Sequence, residues 1–109
     1  MALTIGVLGG GAWGSTLASL MTQAGHRVAI WRRSQGREAL QALESVELLV
    51  GATALVGVTE VAQQVKGWAA RPLLSCSKGL DPDSGKTASG LWARACPSWP
   101  IVVLSGPNL

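Results

Sequence analysis

Charge is scarce in this sequence. Asp, Glu, Lys and Arg make up 14% of its 109 residues, and the net excess is only +3. The longest basic run is the pair Arg32-Arg33. A surface that tracks a nucleic-acid backbone needs a clustered basic stripe, so the sequence argues against a nucleic-acid partner, whereas a small anionic ligand fits the modest excess. Cys76 and Cys96 are isolated, and His26 is the single histidine. They form no metal-ligand spacing, so no metal is expected and the two thiols are expected to be reduced. No apolar run reaches the ~18–20 residues that cross a bilayer. The apolar N-terminus has no Lys or Arg before Arg27, and three consecutive glycines interrupt it, unlike a secretory signal. The expectation is a cytoplasmic protein without membrane insertion. Phe and Tyr are missing beside five Trp, and that imbalance carries no functional reading.

Apolar residues, by contrast, are abundant at 48%, enough for one folded domain with a real core. Glycine is also frequent, and Gly9, Gly11 and Gly14 fall in the pattern G-x-G-x-x-G between an apolar run at 3–8 and a helical pattern at 12–24. The hexapeptide alone is a weak signal among 14 glycines, but the strand–turn–helix context makes it strong. Gly9 is expected to turn the chain off the strand, and Gly11 to let backbone approach a phosphate. Gly14 is expected to let the helix lie against the sheet. The helix start at Ala12 and Trp13 would then present unpaired N–H groups and a positive dipole end to a pyrophosphate.

The rest of the chain repeats the alternation. Leu17, Leu20, Met21 and Ala24 share one helical face that Gly25 closes, and His26 reads as a solvated turn residue. Residues 28–31 form the second strand, 35–45 a short helix carrying Ala39, Leu40 and Leu43, and 47–52 the third strand. Only the 13 residues 34–46 join those two strands, close to the ~10–12 that a parallel crossover needs. No extra strand fits between them, so the third strand usual in this half-fold is expected to be missing. A helix at 58–65, a strand at 72–76, a turn at 81–85, a helix carrying Ala88, Leu91, Trp92 and Ala95, and a strand at 101–104 complete the order. The fold class expected is α/β: a Rossmann-type open parallel sheet of about five strands in the order 2-1-3-4-5 with flanking helices.

Ligands of such sheets bind beyond the carboxyl ends of the strands. The noteworthy groups lie there: the glycine turn, Arg32 and Arg33, Ala52-Thr53, Lys78, and Ser105-Gly106-Pro107-Asn108. An Asp or Glu after the second strand would hold the ribose 2′-hydroxyl of NAD(H), and an Arg accepts the 2′-phosphate of NADP(H). Two arginines and no acid lean toward NADP(H) over NAD(H). Lys78, followed by Gly79, suits an anionic substrate group. Gly85-Lys86-Thr87 is a decoy: a phosphate-binding P-loop would need glycine where Leu80 stands, Asp81 and Asp83 would repel a triphosphate, and Pro82 lacks an N–H.

Four stretches together resemble the bacterial-type NAD(P)-dependent glycerol-3-phosphate dehydrogenases, and most nearly their cyanobacterial branch. They are Gly9-Gly10-Gly11-Ala12-Trp13-Gly14-Ser15, Trp31-Arg32-Arg33, Ser77-Lys78-Gly79-Leu80 and Leu104-Ser105-Gly106-Pro107-Asn108. The resemblance implies hydride transfer between NAD(P)H and dihydroxyacetone phosphate, giving sn-glycerol 3-phosphate for phospholipid synthesis. It assigns Trp13, Arg32 and Arg33 to the dinucleotide, and Lys78, Gly106 and Asn108 to the glycerol phosphate, with Asn108 standing where many relatives carry Ser or Thr. The family's catalytic lysine lies in a helical domain beyond Leu109, so no catalytic residue is expected in this chain, which reads as an N-terminal fragment that does not turn over alone. A homodimer is the expected partner state of the full-length protein. Two alternatives stay open: another Rossmann reductase of the ketopantoate or hydroxy-acid type, and a non-catalytic dinucleotide-binding module.

Overall fold

The computed structural model describes residues 2–77 and 79–104. The chain alternates strand and helix: β1 (Thr4–Leu8), α1 (Ala12–Gln23), β2 (Arg27–Trp31), a 3-10 turn (Arg33–Gln35) running into α2 (Gly36–Gln41), β3 (Leu48–Gly51), α3 (Leu55–Val65), β4 (Leu73–Ser75), α4 (Ala88–Ala95) and β5 (Ile101–Val103). All neighbouring strands pair in parallel, and the sheet order is β2-β1-β3-β4-β5. The expected architecture is borne out, and so is the missing strand: β2 pairs only with β1 among the described residues.

Period-2 alternation sends side chains to two cores. On one face Leu8, Leu49 and Leu73 meet Leu40 and Leu43, Val58, Val61, Ala62 and Val65 of α3, and Trp92 of α4. On the other, Ile5, Val7, Val50 and Cys76 meet Leu17 and Ala18 of α1. α3 and α4 bury the stripes that their spacing marks, since residues at i, i+3, i+4 and i+7 share a face. α1 departs from its marked stripe. It buries Gly14, Leu17 and Ala18 with Met21 half-buried, while Leu20 (55% exposed) and Ala24 face outward, because the close approach at Gly14 rolls the helix toward the 14–18 side. Gly51 lies under Trp92, whose Nε1 would stand 3.0 Å from a Cβ there. Burial in this setting pushes the Cys76 thiol up to about 11, because a thiolate loses its hydration.

Several boundaries differ from the sequence expectation. The second helix ends at Gln41 instead of 45. Beyond it Leu43, Glu44 and Val46 donate to carbonyls three residues back, so the chain tightens into successive turns that still bury Leu43 while delivering it to β3 within the short crossover. His26 is not merely solvated: its Nδ1 accepts the N–H of Leu3 at 3.0 Å and ties the turn after α1 to the start of β1. Four of the five tryptophans, Trp31, Trp68, Trp92 and Trp99, are core residues. Arg71 sits over Trp68 and Trp99, 5.1 Å and 5.8 Å from their ring centroids. It donates to the carbonyls of Ala69, Glu44 and Val46, closing the amino-terminal edge of the sheet.

The P-loop decoy resolves into ordinary turn chemistry. The Asp81 carboxylate accepts the N–H and Oγ–H of Ser84, and these bonds hold its pKa below the usual carboxylate range. Gly85 takes φ +71°, and Thr87 spends its hydroxyl as the N-cap of α4, accepting from the N–H of Gly90 at 3.2 Å.

Candidate functional site

The glycine turn joins β1 to α1 at the centre of the sheet's carboxyl edge, where strand order reverses between β2 and β3. Its N–H and C=O groups are anchored on both sides: Gly9 donates to the Trp31 carbonyl and Ala52 to the Leu8 carbonyl, each at 2.8 Å. The three glycines of the motif sit in different surroundings. Gly9 has φ +115°, and a Cβ there would lie 2.6 Å from the Ala52 carbonyl oxygen. Backbone cannot yield to such a contact, so both conformation and space demand glycine. A Cβ on Gly14 would run into the Gly9 carbonyl, with Ala52 Cβ 3.3 Å away. Gly14 is therefore the close contact of α1 with the turn. At Gly11 a Cβ would meet nothing within 4 Å. None of the described residues requires glycine there, and the space above it is open.

The amino end of α1 faces that space. Gly11 is its N-cap, no side chain caps the helix, and its first turn holds no acid. The leading N–H groups are thus left for an external acceptor, and the helix dipole favours an anion. Around the turn lies a groove of about 380 Å³, walled by Gly9, Gly10, Gly11, Trp31, Arg32 and Arg33 on one side and by Thr53, Val56, Gly57, Glu60 and Val61 on the other. Arg32 folds its side chain over Gly10, and its N–H donates to the Gln35 side chain at 2.6 Å. Arg33 reaches across to Glu60 of α3 at 2.9 Å. The Thr53 hydroxyl oxygen, buried at the groove wall, has no hydrogen-bond partner among the described residues. An uncapped helix start, an open position at Gly11, two arginines and an unpaired hydroxyl fit a dinucleotide diphosphate with an anionic ribose.

The structure gathers Gly9, Gly11, Arg32 and Arg33 at this groove, with Gly14 directly beneath the turn. Ala12 is exposed at the helix start. Trp13 packs on the fringe of the α1-side core and does not line the groove. Lys78, Gly106 and Asn108 lie outside the described residues. Ser77 Oγ donates to the Thr53 carbonyl and links the loop after β4 to the groove wall. The residue that sequence reasoning missed is Glu60, which on paper is one polar residue of an amphipathic helix.

Comparison with known proteins decides the family. The model for the N-terminus of NAD-dependent glycerol-3-phosphate dehydrogenase matches residues 4–41 and 35–109. The chain belongs to this family. A glycerol-3-phosphate dehydrogenase (NAD(P)+) of a Synechococcus species is 75% identical over 109 residues, covering 100% of this chain and 36% of that protein. One from Trichormus variabilis is 44% identical, covering 97% of this chain and 36% of that protein. The chain thus spans about a third of the length of the curated relatives it matches. Among solved structures, the glycerol-3-phosphate dehydrogenase of Coxiella burnetii superposes with a TM-score of 0.81 at 23% identity, over 99% of this chain and 42% of that one. The yeast glycerol-3-phosphate dehydrogenase follows at TM-score 0.76 and 16% identity, covering 100% of this chain and 43% of that one. These two likenesses are of fold. Among the described residues no helix is long and apolar enough to cross a membrane.

Proposed function

We propose that this chain is the dinucleotide-binding part of an NAD(P)-dependent glycerol-3-phosphate dehydrogenase that interconverts dihydroxyacetone phosphate and sn-glycerol 3-phosphate. The observation that carries the reading is the division of labour in the glycine turn. Gly9 and Gly14 are demanded by the protein, whereas a Cβ on Gly11 would meet none of the described residues, and a diphosphate seated on the turn would supply the need for glycine there. Family membership and the 75% identical relative support the same reading.

In this proposal the N–H groups at the start of α1, at Ala12 and Trp13, hold the diphosphate, and Arg32 and Arg33 hold the adenosine ribose, with a lean toward the 2′-phosphate of NADP(H). The bound nicotinamide supplies or takes up the hydride. Core packing of Trp13 fixes the first turn of α1, so that its N–H groups are preorganised. Lys78 contributes an ammonium for the substrate phosphate, and Gly106 and Asn108 shape the same site from the loop after β5. The reacting groups come from the part of the protein beyond this chain. The full-length protein is proposed to act in the cytoplasm as a homodimer and to feed phospholipid synthesis.

The test is a double substitution, Arg32→Ala with Arg33→Ala, read by titration with NADPH and NADH. A charge-assisted contact to phosphate contributes about 1.5–3 kcal/mol, so losing one or two should weaken NADPH binding by about tenfold to ten-thousandfold. NADH should lose much less. Equal losses would show that the arginines supply only general positive potential. With the full-length protein, failure to reduce dihydroxyacetone phosphate with either nucleotide would overturn the assignment of the reaction.

A further inference from the structure

We propose that Glu60 is a selectivity residue of the groove, which competes with the 2′-phosphate of NADP(H) for Arg33 and so holds the preference between NADP(H) and NAD(H) closer to parity than the arginine pair alone would set it. This rests on reading the groove as the dinucleotide site.

The two arginines look equivalent in sequence but are not equivalent in space. Arg32 lies over Gly10 and has no carboxylate partner among the described residues. Arg33 makes the one ion pair among the described residues, with Glu60 at 2.9 Å, spanning the groove from the end of β2 to α3. Both side chains are open to water, at 74% and 51% exposure. The pair is therefore a readily exchanged contact and no structural clamp. Its position gives it consequences for a ligand. Glu60 lines the same groove as Gly9, Gly11 and Arg32.

The chemistry of the two nucleotides differs at one group. A ribose 2′-hydroxyl is neutral and can donate a hydrogen bond to a carboxylate. NAD(H) can therefore enter with the Arg33–Glu60 pair intact and find an acceptor in Glu60. A 2′-phosphate is acceptor-only at neutral pH and carries up to two negative charges. To engage it, Arg33 must leave Glu60, and the freed carboxylate then faces like charge across the groove. Arg32 acts as a standing cation for either nucleotide, while Arg33 is available in proportion to how weakly Glu60 holds it. Selectivity is a difference of affinities, and a repulsive group aimed at one ligand sets it as well as an attractive one does.

Glu60→Gln keeps the shape and removes the charge. It should tighten NADPH binding by about fivefold at low ionic strength, the size of a screened charge interaction at a few ångströms, and should not tighten NADH, whose 2′-hydroxyl exchanges a charged acceptor for a neutral one. The gain should shrink as salt is raised. The measurement is the ratio of dissociation constants for NADPH and NADH, taken on the chain and on the variant at low and at physiological salt. In a background carrying Arg33→Ala the effect of Glu60→Gln should fall, since the competition for Arg33 has gone. An unchanged ratio in Glu60→Gln, with both nucleotides still binding, would overturn this inference and leave the groove's assignment standing. No saturable binding of either nucleotide by the unsubstituted chain would overturn the assignment, and the inference with it.

Discussion

Replacing Gly11 by alanine should separate ligand binding from folding, and replacing Gly9 should not. A Cβ at Gly9 meets three backbone atoms, the Ala52 oxygen at 2.6 Å, the Ala52 carbonyl carbon at 2.7 Å and the Thr53 nitrogen at 2.8 Å, and the residue must hold φ +115°. An L-residue in such a conformation costs about 1–3 kcal/mol, and forcing a methyl group into packed backbone adds about 1–3 kcal/mol. Against a total stability of about 5–15 kcal/mol, Gly9→Ala should leave the domain marginal. Gly11 has an ordinary extended conformation, φ −70° and ψ −175°, and open space around its Cβ position. Losing glycine for alanine at an N-cap costs about 1 kcal/mol or less. With a urea slope of about 1–3 kcal/mol/M, the midpoint should drop by under about 1 M for Gly11→Ala and by about 1–3 M for Gly9→Ala. Tryptophan fluorescence reports the transition. Titration with NADPH should show that Gly11→Ala has lost at least about tenfold in affinity, because the new methyl group stands where the diphosphate must approach. The reasoning is refuted if Gly11→Ala binds as the unsubstituted chain does, or unfolds as easily as Gly9→Ala.

Two further predictions concern groups away from the groove. Arg71→Met keeps an apolar stem over Trp68 and Trp99 but removes the donors to the carbonyls of Ala69, Glu44 and Val46. Stability measured by urea unfolding should fall by about 2–4 kcal/mol, and a loss within error of zero would contradict the role given to this side chain. Cys76 binds its proton up to about 11 in the folded chain, against an ordinary thiol value of 9.0. Between those values the unfolded state has lost the proton that the folded state retains, so stability declines as pH rises from 9 to 11 and levels off above. Cys76→Ala should show a shallower decline over that range, and parallel curves for the two proteins would count against it.

Most of the fold was legible because its signals are local. Alternating strand and helix periods, turn residues and a 13-residue crossover suffice to place β2 at an edge and to order the strands 2-1-3-4-5. Gly9 and Gly14 were legible for the same reason, each answering to a constraint within the motif or from the adjoining strand end. The early end of α2 was not, because Leu43 is buried whether it sits on a helix or on a following turn, so periodicity does not distinguish the two. Nor were the long-range polar contacts. Arg33 and Glu60 are 27 residues apart in sequence, as are Arg71 and Glu44, and only the finished crossovers bring them together. His26 read as a solvated turn residue because nothing in its neighbourhood announces an acceptor for the N–H of Leu3. Trp13, named beside the arginines in sequence, turns toward the α1-side core. In the proposed site the backbone of its helix turn meets the ligand, which residue type alone does not reveal.

The central claim is that a dinucleotide sits on the glycine turn. The most direct measurement is amide chemical-shift perturbation in the chain titrated with NADPH. The backbone amides of Gly9, Gly10, Gly11, Ala12 and Trp13, together with those of Arg32 and Arg33, should shift with one saturable affinity, and the turn at 81–86 should stay still. Shifts confined to that turn, or none that saturate, would contradict the account.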